Sequence, residues 1–403
     1  RNNTGSPDVA IDMRGFGVSG DQNTLVLLDG QRLNDIELTP VRWSAIPLEA
    51  IERVEIQRGG GAVLYGGGAS GGAINIITRS PIAGAKSATV ALGHGSYAAN
   101  EVHAAVNLAG SNTGFSLIAN RYGSDNYRVN NRLEQGNLLG DLRWTGIRGG
   151  LVFKFRLDNQ SLRLPGARSA VQLGTDPRGT ATPGDYSARD GKQATLSGRY
   201  AFDAADFAVD LSYRDTGRIG FFDDYSGFGF STFTDTHAKV WALTPRLKLP
   251  YRWLGRDNVL VVGMDADIWD YQALRAARFE QLGAPQVKLA ATQKDRAYYA
   301  QNHTAIGAAP KLTLGARLQQ VHCFGYCQVG CGEEEIASGH GVGVERAAGA
   351  IADRIGVILP VAQVVRGQSQ SPGPGDAAQF GVGGHKRGHL PGKGVGLVVV
   401  EIL

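Results

Sequence analysis

Apolar and polar residues alternate with a period of two along most of the chain. Phe207, Val209, Leu211 and Tyr213 fall on one face of an extended segment, and Ala208, Asp210, Ser212 and Arg214 on the other. Leu260, Val262, Met264, Ala266 and Ile268 oppose Gly263, Asp265 and Asp267, and Leu312, Leu314, Ala316 and Leu318 oppose Thr313, Gly315, Arg317 and Gln319. The same alternation recurs at 88–93, 102–109, 115–121, 138–145, 151–157, 194–202, 239–249 and 297–305, which predicts about eleven strands. A soluble β-sandwich or β-helix also alternates. Strands this long, apolar on one face and charged on the other, favour an outer-membrane barrel, because lipid cannot satisfy an open backbone ladder. Tyr122, Trp144, Tyr200, Tyr213, Trp269 and Tyr271 are read as aromatics at the membrane interfaces.

Before this region the pattern differs. Val9–Arg14 alternates, Thr24–Leu28 is a continuous apolar run closed by the turn pair Asp29-Gly30, and Pro47–Arg53 reads as one helical turn. Val54–Arg58 and Ala73–Thr78 are two further strand-like runs, so residues 1–81 predict a small α+β module. After Val321 the alternation ceases. Residues 322–403 hold all three cysteines (Cys323, Cys327, Cys331) and stretches such as QSQSPGPGD and GVGGHKRGHLPGKG. The expectation there is an irregular tail, produced by reading in a shifted frame or else a genuine glycine-rich appendage.

Composition narrows the function. Glycine supplies 57 of 403 residues without a Gly-X-Y period, so it marks turns rather than collagen. Lys and Arg number 41 against 37 Asp and Glu, a net charge of +4 with no basic cluster, which excludes a nucleic-acid surface. The uncharged run 59–78 is too rich in glycine for a membrane helix. The loop GGGAVLYGGGASGG lacks the lysine of a phosphate-binding loop and precedes a strand rather than a helix, so no enzyme is expected. Cys-x₃-Cys-x₃-Cys matches no common zinc spacing, so neither metal nor cofactor is expected.

The motifs MRGFG (13–17), LVLLDGQRLND (25–35) and IPLEAIERVEIQRGGGAVLYGGGASGGAINIITRSP (46–81), in this order, resemble the plug domain of TonB-dependent outer-membrane receptors. The matching plug positions are Arg14, Gly15, Asp29, Gly30, Arg32, Glu52, Arg53, Glu55, Arg58, Gly59, Tyr65, Gly66, Gly71, Gly72 and Asn75. The resemblance implies an α+β plug (1–81), then an antiparallel transmembrane β-barrel (82–321) with about eleven of 22 strands, then the aberrant tail. It also implies a Gram-negative outer-membrane location, no covalent chemistry, and energised uptake of a ferric siderophore or cobalamin. The implied partners are the TonB complex, acting through a TonB box absent from this sequence, and outer-membrane lipid. A passive porin or autotransporter barrel is the alternative, although neither carries such a plug.

Arg14, Arg53, Arg58, Glu52 and Glu55 are expected to be buried in the lumen against barrel charges. Asp29-Gly30 is expected to be a turn, and Tyr65 to pack. Residues 158–192 and 216–236 are expected to be long outer loops, the second offering Phe221, Phe222, Tyr225, Phe228 and Phe230 to a ligand, with Phe233 beside them. With no initiating Met, no signal peptide and no terminal aromatic, the chain reads as an inactive fragment.

Overall fold

The computed structural model describes residues 8–17, 20–36, 39–58, 62–223, 231–253, 255–305 and 311–329, together with short strands at Arg354–Ile358, Ala362–Val364 and Val398–Ile402. Two sheets organise them. The first has four strands, β1 (Thr24–Leu28), β2 (Gln31–Arg32), β3 (Ile51–Arg58) and β4 (Gly72–Thr78), in the order β2-β1-β4-β3. β1 and β4 run parallel at the centre, and the outer pairs are antiparallel. The unbroken apolar run of β1 is explained by this position, since all five of its residues are buried. Val26, Leu28, Ile74 and Ile76 pack on one face with Leu33, Val41 and Ile46. Leu25, Leu27, Ala69 and Ala73 pack on the other, with Tyr65 against them.

Asp29 and Gly30, at φ 51° and 83°, both adopt the left-handed conformation. They form the two-residue turn whose twist suits a hairpin, here between β1 and β2. The helical turn expected at Pro47–Arg53 is shorter. A single 3₁₀ turn spans Leu48–Ala50, and Ile51 already begins β3 because the ladder with β4 captures the residues after it.

The second sheet is a wall of eleven antiparallel strands, β5 (Lys86–Gly95), β6 (Ala99–Ala109), β7 (Thr113–Ser124), β8 (Leu133–Thr145), β9 (Gly149–Arg163), β10 (Tyr186–Ala201), β11 (Asp206–Phe222), β12 (Thr232–Trp253), β13 (Arg256–Ala276), β14 (Val287–Ala305) and β15 (Lys311–Val329). Each follows its predecessor in the sheet, and each holds one of the eleven alternating runs, the run 194–202 overshooting β10 by Phe202 alone. The terminal segments β16 (Arg354–Ile358) and β18 (Val398–Ile402) pair with β15, and β17 (Ala362–Val364) pairs with β18. Among the described residues this path from β5 onward does not close on itself.

Leu151, Leu157, Leu196, Leu211, Trp241 and Ile268 stand exposed on the outer face, as a lipid-facing band requires. Trp144, Tyr200, Tyr251 and Trp253 lie near the short turns, where an interfacial girdle belongs. Trp269 departs from the interfacial expectation. It is buried on the inner face with Asp267, because its position in β13 has the same parity as the acidic residues.

The strands outrun their alternating cores at one end. β9 continues to Arg163 and β10 begins at Tyr186, so the expected loop 158–192 contracts to 164–185. The expected loop 216–236 likewise contracts, since β11 reaches Phe222 and β12 begins at Thr232. Backbone pairing extends there beyond the apolar band, where no two-residue pattern is required. Among the described residues the opposite end has the tight connections 110–112, 146–148 and 202–205. The same templating carries β15 past Val321 to Val329, paired throughout with β14. The rest of the expected tail, apart from β16–β18, lies outside the described residues.

Candidate functional site at the seam between plug and wall

The four-stranded module sits against the inner face of the wall, held by charges distant in sequence. Asp8, buried, accepts hydrogen bonds from Ser44 N (2.9 Å) and Ser44 Oγ (3.3 Å), and Arg189 of β10 lies 3.2 Å from it. Arg42 pairs with Asp158 of β9 and donates to the carbonyl of Asp190 at 2.9 Å. Arg156 also approaches Asp158, at 3.5 Å. Arg214 of β11 pairs with Asp35 at 2.9 Å, donates to the carbonyls of Leu33 (2.7 Å) and Asn34 (3.4 Å), and lies 5.2 Å from the Trp269 ring centre. An unpaired charge at such depth is costly, so each cation is met by a carboxylate or carbonyls.

The Asp29 turn belongs to the same seam. Its carboxylate accepts from Thr78 N (3.0 Å) and Thr78 Oγ1 (2.7 Å), and Lys154 of β9 lies 2.9 Å away. Lys154 is also 3.6 Å from Asp141, to which Arg143 is bound at 2.5 Å while donating to Ser80 Oγ at 2.7 Å. Ala50 adds an apolar contact against Ile118 and Leu139. Helix α1 (Ala62–Tyr65) ends on Gly66 at φ +82°, where a Cβ would also stand 2.9 Å from Arg317 Nη2. Arg317 itself pairs with Asp265 at 2.6 Å and donates to the Val63 carbonyl at 3.4 Å.

Two larger cavities bracket this seam. At the long-loop end a cavity of about 510 Å³ is lined by Arg189, Arg218, Arg275, Tyr271, Phe222 and Leu289. At the short-turn end a cavity of about 990 Å³ is lined by Asp29, Thr78, Lys154, Asp210, Arg246 and Asp265, among others. Three guanidinium groups line the first cavity, Arg189 among them already paired with Asp8, and they give it a basic lining suited to an anion of several oxygens.

The residues singled out from sequence are distributed unevenly. Asp29, Gly30, Arg32, Tyr65 and Gly66 lie at or beside the seam, and Gly71 and Gly72 lead into β4. Burial lowers the pKa of Arg32, while Asp267 and Asp295 of the wall favour its charged form. Burial likewise raises the pKa of Tyr65, which packs on the core as expected. Asn75 accepts from Gly30 N at 3.0 Å and donates to Glu55 at 3.2 Å, tying the turn to β3.

The expected burial of the other charges is corrected. Arg14 and Gly15 lie in an exposed loop, where Asp12 accepts from Arg14 N and Gly17 N, and backbone N–H groups of Phe16 and Arg14 hold its pKa down. Glu52, Arg53, Glu55 and Arg58 are exposed as well, because β3 is an edge strand that no described wall strand covers. Arg53 is satisfied locally, by Glu52 at 3.0 Å and Glu55 at 2.9 Å. Gly59 lies outside the described residues.

The aromatic group is split by strand parity. Phe222 faces the basic cavity, whereas Phe221 is 6.1 Å from Tyr186 on the outer face. Phe233 is buried against Phe279 outside the lumen. Tyr225, Phe228 and Phe230 lie outside the described residues. Sequence reasoning missed Asp8, Asp35, Arg42, Arg189, Arg218 and Arg275. For the arginines of the wall a signal existed, since Arg189 and Arg218 continue the inward parity of Arg214 along the ladder.

Residues 1–73 match the family model of the TonB-dependent receptor plug domain. The chain is 40% identical over 79 residues to a probable TonB-dependent siderophore receptor, PirA, of Acinetobacter baumannii, a stretch covering 17% of this chain and 10% of that protein. It is 36% identical over 110 residues to the vitamin B12 transporter BtuB of Vibrio vulnificus, covering 27% of this chain and 17% of the relative. The structure resembles that of the unliganded ferric citrate transporter FecA with a TM-score of 0.67 at 17% identity, covering 79% of this chain and 52% of the other. The chain therefore spans about half the length of that solved transporter, and its matches to curated relatives are shorter still.

Proposed function

From the plug-and-barrel architecture of TonB-dependent outer-membrane receptors, which this chain has, we propose that it serves energised uptake of an anionic ferric chelate of the siderophore class. The observation that carries this reading is the cavity of about 510 Å³ at the long-loop end, into which β10, β11 and β13 bring Arg189, Arg218 and Arg275. Charge-assisted hydrogen bonds from guanidinium groups match carboxylate or catecholate oxygens around a ferric ion, and Tyr271 and Phe222 offer ring faces beside them. Cobalamin, the cargo in the name of the Vibrio relative, has far less need of three arginines.

The plug blocks the lumen, and the TonB complex is the proposed source of work on it. Plug, partial barrel and tail are assigned to residues 1–81, 82–321 and 322–403, with the plug residues acting in occlusion rather than chemistry. An open ladder edge cannot stand in lipid, so uptake needs a wall closed between the edges of β5 and β15. Binding needs only β10–β14.

Equilibrium dialysis of the 403-residue chain with ferric citrate, a ferric tris-catecholate and cyanocobalamin tests the reading. Retention of the anionic chelates, weakened at least tenfold by Arg218→Gln with Arg275→Gln and by added salt, is expected. Retention of cyanocobalamin alone, or chelate binding indifferent to both substitutions, contradicts it.

A further inference from the structure

The connection 164–185 between β9 and β10 is folded into a cap at the long-loop end. It carries a short helix, α2 (Ala170–Thr175), whose first turn closes reciprocally. Ser169 Oγ accepts from Gln172 N at 3.3 Å, and Gln172 Oε1 accepts from Ser169 N at 2.9 Å. The two ends of the cap meet where Ala181 N and Thr180 Oγ1 donate to the Pro165 carbonyl at 2.9 and 3.1 Å.

The neighbouring connection 125–132 reaches into the base of this cap. Arg128 Nη1 donates to the Gly166 carbonyl at 2.6 Å, and Nη2 donates to the Pro165 carbonyl at 3.0 Å. Its Nε and Nη2 donate to the Gly179 carbonyl at 3.1 and 3.0 Å. Asn130, at φ 55°, turns its amide nitrogen to the carbonyls of Leu164 (3.0 Å), Thr182 (2.6 Å) and Asp185 (3.1 Å). Val129 N donates to the Arg178 carbonyl at 2.7 Å, and Arg178 Nε donates back to the Tyr127 carbonyl at 3.0 Å. The Arg178 guanidinium also lies 5.9 and 5.7 Å from the ring centres of Tyr97 and Tyr127.

Among the described residues, Arg128 meets backbone carbonyls alone. Carbonyls that converge from both ends of one loop are the kind of oxygen ligands that a calcium ion takes. Here the cation belongs to the chain. We propose that Arg128 is a built-in cation that locks the cap, so that 164–185 stands closed with or without a bound ligand. A guanidinium suits this task because its planar fork reaches several acceptors at once, whereas an ammonium is a point charge. Ordering a loop costs conformational entropy, which these bonds must offset, so removal of Arg128 should free the cap. Asp185 Oδ1 accepts from Asp223 N at 2.8 Å, which ties the end of the cap to the end of β11, whose Arg218 and Phe222 line the basic cavity. A ligand of that cavity meets this side of the rim already formed. The inference goes beyond the uptake reading and holds whether or not chelates bind.

Hydrogen–deuterium exchange of the 403-residue chain, read by mass spectrometry over 164–185, tests the lock. The parent should be protected there, equally with and without a ferric tris-catecholate. Arg128→Ala should exchange at least tenfold faster, with Arg128→Lys between, while residues 194–200 of β10 stay protected in every chain. Millimolar methylguanidinium should restore protection to Arg128→Ala, and tetramethylammonium should not. Three results overturn the proposal: a cap in the parent that is protected only with chelate, an Arg128→Ala cap as protected as the parent's, or a freed cap that methylguanidinium leaves unchanged. Loss of protection at 194–200 together with the cap overturns it as well, since Arg128 would then hold the wall rather than the loop.

Discussion

Two sets of plug charges behave oppositely. Arg53, Glu52 and Glu55 on β3 are close in sequence, roughly half exposed, and satisfied by one another. Arg42, Asp8 and Asp35 reach partners in the wall more than a hundred residues away and are largely buried. The first set has the appearance in sequence of a charged functional strand, yet mutual pairing in water contributes little. The second set is scattered singly through irregular segments, and those residues fasten the plug to the wall. A charge acquires structural weight here through the depth and sequence distance of its partner, not through membership of a motif.

Substitutions in the two sets break or sharpen that contrast, with plug release by urea, followed through protease protection, as the measurement. Asp158→Asn should have the largest effect, about 3–5 kcal/mol, because it strands Arg42 and Arg156 without their carboxylate. Asp29→Ala should cost about 1–3 kcal/mol, since Thr78 and Lys154 lose their acceptor within the seam. Gly66→Ala should cost about 1–2 kcal/mol through its left-handed backbone, and it should also displace Arg317. Arg53→Gln should leave the release midpoint unchanged. A loss at Arg53 comparable to that at Asp158 would erase the distinction.

Much of the fold was legible in the sequence. The eleven alternating runs became eleven strands because a wall that is apolar outside and polar inside demands that period at membrane depth. The continuous run of β1 signalled a strand covered on both faces, and Asp29-Gly30 signalled its turn. The extensions of β9 to β14 beyond that depth were not legible, since backbone pairing in water imposes no side-chain pattern. The loop aromatics were misjudged for the same reason. Once Phe221 and Phe222 proved to be neighbours in a strand, parity sent them to opposite faces. Inward-facing Asp265, Asp267, Arg214 and Arg317 could be read as a polar face, but not their partners. Nothing local to Asp35 announces Arg214, about 180 positions away, or local to Arg42 announces Asp158.

A double-mutant cycle on Arg42 and Asp158, read as plug release from the 403-residue chain, tests most directly whether long-range ion pairs hold the plug to the wall. Arg42→Gln, Asp158→Asn and the double variant should reveal a coupling of about 1–3 kcal/mol, as for residues in one buried network. Additivity within about 0.3–0.5 kcal/mol would contradict that account.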